Sequence, residues 1–116
     1  RLRIAEVTVH DVHWMKQEGR DLLLIDVRED GEWDHSRIPG SRHLGKGILE
    51  RDVEGLVPDA AQEIVLYCGG GYRSALSADA MRLMGYSRVS SMAGGLRGWR
   101  EAGYAEDVGP VDGTGW

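Results

Sequence analysis

At 116 residues, 41% hydrophobic and 28% charged, the chain fits one compact domain with a single core and leaves no room for two. A net charge of −5 with scattered Lys and Arg argues against a nucleic-acid surface, which rests on clustered cations. No apolar run approaches the ~20 residues of a membrane span, and no charged-then-apolar leader opens the chain, so no membrane contact is expected and the expected location is cytoplasmic.

The sequence opens at Arg1 rather than Met and is expected to be a trimmed, processed or excised piece of something longer. Ile4–Val7 predicts a short edge strand. Thr8 with Asp11 makes a capping-box-like helix start, Val12 and Met15 lie one turn apart, and Gly19 suits the C′ position. Leu22–Asp26 is an apolar run ending in turn-like sequence, which predicts a buried strand of a parallel sheet. The loose basic group from Arg37 to Arg51 is expected to be solvated surface. Ile48–Leu56 predicts a helix stopped before Pro58. Glu63–Tyr67 predicts a second buried strand, and Arg73–Met84, rich in Ala, Leu and Met, a helix closed by Gly85. Arg88–Met92 predicts a further strand and Leu96–Ala102 a last helix before Gly103. Strands alternating with helices predict an α/β sandwich with a mostly parallel sheet and helices on both faces. The domain is expected over residues 1–103, followed by a partly loose tail, 104–116, mixed in Gly, Asp and Pro. Whether Trp116 docks on the domain is left open.

Cys68 is the only cysteine, so no internal disulfide can form. The four histidines (His10, His13, His35, His43) fall in no metal-ligand spacing. His10 and His13 lie three apart on the first helix without a third ligand nearby, so no metal is expected.

The chemistry concentrates in Cys68-Gly69-Gly70-Gly71-Tyr72-Arg73-Ser74, between a predicted strand and a predicted helix. Ligands of open α/β sheets bind beyond the carboxyl ends of the strands. A helix start offers unpaired N–H groups and partial positive charge. Three glycines let the backbone curl so that its N–H groups converge on an anion. A cysteine heading such a loop is expected to ionise readily, with Arg73 closing the loop as a fixed positive charge. No Gly-Lys-Ser or Gly-Lys-Thr ends the segment, which excludes a Walker-type phosphate loop. A lone cysteine at a strand end is more often a small buried hydrophobe. The combination with glycines and Arg73 favours an active site.

Taken together, four motifs resemble the rhodanese-like family over about Ile4 to Gly103. Leu24-Ile25-Asp26-Val27-Arg28-Glu29 is similar to the family's strand end, and Glu32-Trp33 with Ile38-Pro39-Gly40-Ser41 to its next stretch. Cys68 to Ser74 is similar to its active-site loop. Met84-Gly85-Tyr86, Val89, Met92-Ala93-Gly94-Gly95 and Trp99 resemble its closing signature. Arg37 stands where the family usually has His, Ser36 where it has Gly, and Trp33 where it has Tyr or Phe. Gly69 is similar to the mercaptopyruvate-using branch, but one residue does not name a donor.

The resemblance implies a rhodanese-like three-layer sandwich and a sulfurtransferase. Cys68 and Arg73 would be catalytic. Gly69, Gly70, Gly71, Tyr72 and Ser74 would bind substrate. Asp26 and Arg28 are assigned structural roles: Arg28 is expected to pair with an acid such as Glu32, and Asp26 to brace backbone. A small-molecule sulfur donor and a thiol or protein acceptor would be the partners, with no cofactor. Two alternatives stand beside this reading: a non-catalytic rhodanese-like binding or regulatory module, and a cysteine-dependent phosphatase or arsenate reductase. Cys68 and Arg73 enclose four residues; cysteine phosphatases of this general arrangement enclose one more.

Overall fold

The computed structural model describes residues 4–116; Arg1, where the sequence reading begins the domain, lies outside them. The elements run β1 (Ala5–Val7), α1 (Val9–Gln17), β2 (Leu23–Asp26), α2 (Asp30–His35), β3 (Ser36–Arg37) and β4 (Arg42–His43). Then come α3 (Lys46–Leu56), β5 (Ile64–Tyr67), α4 (Tyr72–Leu83), β6 (Val89–Met92), α5 (Gly95–Glu101) and β7 (Asp107–Val108). Five strands form one parallel sheet in the order β1-β6-β5-β2-β4, which puts β1 at an edge.

Side chains alternate across a strand, and here both faces are apolar. Ile25, Ile64 and Leu66 join one buried cluster with Leu49, Val53 and Met81 of α3 and α4. Leu24, Val65 and Tyr67 join a second cluster with Val12 of α1 and Leu96 and Trp99 of α5. Helices therefore cover both faces, as the unbroken apolar runs of β2 and β5 required, and the fold is a three-layer α/β/α sandwich.

The start of α1 follows the sequence reading. Thr8 Oγ1 accepts from Asp11 N–H at 3.0 Å and Asp11 returns a bond from Thr8 N–H at 2.9 Å. The short Asp side chain still closes the capping box. Helix α2 was not expected from sequence: it is six residues long, contains Gly31 and carries no apolar stripe. Its start is closed by Glu32, whose carboxylate accepts from Glu29 N–H at 3.1 Å.

The basic group Arg37–Arg51 is not uniformly solvated. Arg37 is 6% exposed. It donates to Trp33 O and Gly109 O and lies over the Trp33 ring. These contacts involve two of the three positions at which the chain departs from the family pattern, Trp33 and Arg37, and they reach the tail. There β7 pairs antiparallel with β3, Trp33 Nε1 donates to Gly113 O, and Trp116 Nε1 donates to His43 O at 2.7 Å. Thr114 O accepts from His43 N–H, also at 2.7 Å. Trp116 packs against the first core cluster and under Arg42.

Candidate active site

Tyr67 is the last residue of β5, fully buried, and its hydroxyl bonds to Ile38 N–H and Ser41 Oγ. Cys68 follows and is 1% exposed. The chain then curls through Gly69 and Gly70 to Gly71, which sits at φ +108° and caps α4. The loop is held from outside by α5. Leu96 N–H donates to Cys68 O at 2.8 Å and Arg97 N–H to Gly69 O at 3.0 Å. That approach demands glycine at position 95, where an added Cβ would stand 2.5 Å from Cys68 O and 2.6 Å from Gly69 O. Two motifs read separately in the sequence, the cysteine loop and Gly94-Gly95, are thus one construction.

The thiol lies where amides converge. Gly71 N–H donates to Cys68 Sγ at 3.1 Å and Ser74 N–H at 3.4 Å. Ser74 Oγ lies 3.5 Å from Sγ and 2.8 Å from Ser91 Oγ. Ser91 is fully buried on β6. Its signal in the sequence was faint: one of two adjacent serines in a four-residue strand, of which only Ser91 and Met92 are buried. Burial pushes the Cys68 thiol up, whereas the Ser74 hydroxyl and the Ser74, Gly71 and Gly70 amides pull it down. The balance falls below the ordinary thiol value. The alkylation rate of native protein is therefore expected to reach its midpoint at lower pH than that of unfolded protein, whose thiol titrates near ~8.5. Coincident midpoints would refute the activated thiolate.

Arg73 is not a free charge closing the loop. Its guanidinium lies over Gly69, 3.2 Å from where a Cβ would stand, and forms a two-pronged pair with Glu32 at 2.7 and 3.1 Å. The pair draws the Glu32 carboxyl down to about 2 and raises Arg73. Glu32 therefore does not pair with Arg28, contrary to expectation. Arg28 bonds instead to Asp26, through Nε and Nη2 at 2.7–3.0 Å, and to Ser36 O. The reason is local: the strand end turns Arg28 back over Asp26, while α2 carries Glu32 toward the loop. Asp26 also accepts from Arg28 N–H at 2.8 Å, which fixes the backbone after β2.

Both members of the Asp26–Arg28 pair are buried. Replacing Arg28 by alanine would strand a fully buried carboxylate, and a stability loss of about 3–5 kcal/mol is expected. Thermal unfolding measured beside sulfur uptake checks this. A variant of native stability without uptake would place Arg28 in the chemistry instead.

The remaining candidates differ in placement. Gly69 and Gly70 form the loop wall. Tyr72 opens α4 but is 75% exposed, and no hydrogen bond ties it to the thiol. His10 bonds the Tyr104 hydroxyl at 2.6 Å and His13 stacks on the Tyr104 ring. His43 Nε2 donates to Arg28 O at 2.8 Å, and the ring stacks on Trp33. Beside the loop opens a cleft of about 410 Å³ lined by Arg28, Glu32, Gly69, Leu96, Arg97 and Arg100, with neighbours from α2. Arg97 had no sequence signal, since nothing in the chain order places α5 over the loop.

A family model for the rhodanese-like domain matches residues 8–102. A thiosulfate sulfurtransferase of Glaesserella parasuis is 30% identical over 91 residues, covering 74% of this chain and 78% of that protein. The chain spans 51% of a Bacillus subtilis relative and 24% of a Mycobacterium tuberculosis one, at 29% and 34% identity. Among solved structures, a thiosulfate sulfurtransferase from Pseudomonas aeruginosa superposes with TM-score 0.83 at 31% identity, over 91% of this chain and 20% of that one. A Rhodopseudomonas palustris protein of unknown function, described as a possible tyrosine phosphatase, superposes with TM-score 0.81 at 31% identity, over 90% and 85%.

Proposed function

The chain belongs to the rhodanese-like domain family, and from that premise we propose that it is a sulfurtransferase working through a persulfide on Cys68. The Cys68 thiolate attacks the outer sulfur of a small-molecule donor of thiosulfate or mercaptopyruvate type, and the donor departs one sulfur shorter. A thiol or protein acceptor then removes the terminal sulfur and returns the thiolate. Covalent catalysis of this kind divides one transfer into two easier displacements.

The observation that carries the reading is the convergence of the Gly71 and Ser74 amides and the Ser74 hydroxyl on Cys68 Sγ. Such donors stabilise an anion on sulfur as an oxyanion hole does on oxygen. Cys68 is the only cysteine of these 116 residues, so a thiol acceptor is not one of them. A working thiol suits the reducing cytoplasm. The four-residue span between Cys68 and Arg73 favours a single sulfur atom over a phosphoryl group, whose several oxygens all need donors.

Mass spectrometry after incubation with thiosulfate, mercaptopyruvate or an aryl phosphate tests the reading. The expected product is a protein heavier by one sulfur atom on Cys68, with no phosphate release. Cys68-dependent phosphate release without sulfur uptake would establish the phosphatase alternative, and inertness toward every donor would leave a binding module.

A further inference from the structure

We propose that Arg97 selects the sulfur acceptor, holding the carboxylate of a small thiol in the cleft beside the Cys68 loop. The inference rests on the sulfurtransferase reading above. It begins from the charges around the loop. Arg73 is paired with Glu32, Arg28 with Asp26 and Arg100 with Glu106, each at 2.7 or 2.8 Å. The guanidinium of Arg97 has no acidic partner and makes no hydrogen bond among the described residues. An exposed unpaired arginine is ordinary on a protein surface. This one differs in its placement. Its backbone is tied to the loop through Gly69 O, and its Nη1 and Nη2 both stand 4.0 Å from where a Cβ on Gly70 would be. It is the uncompensated cation of the cleft, in a protein of net charge −5.

The second displacement gives that charge a task. The acceptor thiolate attacks the terminal sulfur of the Cys68 persulfide. A sulfur–sulfur bond forms to the acceptor, the one to Cys68 breaks, and Cys68 leaves as thiolate. The sulfur moves with no net oxidation or reduction, and the total charge is unchanged. Two anions must nevertheless approach one another. The loop amides are already committed to the protein's sulfur, and the charge of Arg73 is offset by Glu32. A cation at the loop's lip offsets the repulsion, and a guanidinium fork matches a planar carboxylate. A cleft of about 410 Å³ admits a compact molecule of this kind.

The test separates this inference from the reading beneath it. Protein loaded with excess thiosulfate or inorganic polysulfide is desalted and mixed with mercaptoacetate or with its neutral amide, at equal thiolate concentration. Persulfide loss is followed in a single turnover. The native protein should prefer the carboxylate, and Arg97→Gln should lower the carboxylate-to-amide rate ratio about tenfold, the scale of one hydrogen bond to a charged group. Arg97→Lys should keep part of the preference, and added salt should erode it in the native protein. Arg51→Gln, a remote exposed change, should keep the ratio. The same ratio in the native protein and Arg97→Gln overturns the role of Arg97 while leaving sulfur transfer intact. Failure of the native protein to load sulfur from either source overturns both.

Discussion

Replacing Cys68 by alanine is expected to abolish sulfur uptake and to slow transfer on the order of 10⁴-fold or more, as loss of a nucleophile does elsewhere. The fold should survive. Sγ is the acceptor for two loop amides, so truncation leaves those donors unpaired and costs about 1–3 kcal/mol. Part of that is offset because no charge is then buried. Cys68→Ser provides the sharper comparison. It retains an acceptor for the amides and should keep near-native stability, yet its hydroxyl cannot hold a persulfide. Thermal unfolding, donor-dependent mass gain and turnover measured on both variants check this. Transfer persisting in Cys68→Ser would place the sulfur elsewhere and end the persulfide reading.

The second large effect is expected at Gly95, far from the thiol in sequence. Alanine there meets backbone atoms at 2.5–2.7 Å, and the residue sits at φ +57°. Left-handed backbone costs roughly 1–2 kcal/mol and overpacking roughly 1–3, giving an expected loss of about 2–5 kcal/mol. Relief requires α5 and the loop to part, which shifts the amides from Sγ. A displacement of about 1 Å can cost roughly 100-fold in rate. Gly103→Ala isolates the backbone cost, because φ is +81° there with nothing within 4 Å of an added Cβ. If Gly95→Ala loses no more stability than Gly103→Ala and loads sulfur at the native rate, the contact with α5 does not position the loop.

Local chemistry explains which parts of the molecule could be read from its residues. The capping box at Thr8 and the apolar runs of β2 and β5 act within a few residues, so their pattern is complete in the sequence. The loop was legible for the same reason: a strand, a cysteine, three glycines and a helix start follow one another directly. The partners of Arg28 and Glu32 were not. Asp26 and Glu32 are both near Arg28 in sequence, and only the turn after β2 decides between them. Glu32 then reaches Arg73, 41 residues away. Helix α2 escaped because six residues with a glycine among them and no apolar stripe carry no helical period. Arg97 escaped because its proximity to the loop is created by the crossing of α5, and one arginine on a short helix carries no periodicity.

The tail's grip on β4 also bears on how the protein behaves in a crowd of its own copies. A bare strand at a sheet edge is a template on which another chain can pair, and long exposed edges seed aggregation. Here His43 N–H is already taken by Thr114 O, and His43 O by the Trp116 indole. Gly115 lies so close to Ser41 O and Arg42 that a Cβ would stand 3.2–3.4 Å from them. The last residues thus occupy the sites that an incoming strand would need. Beyond its packing energy, the docked segment leaves neither backbone group of His43 free for another strand, at the edge of the sheet opposite β1.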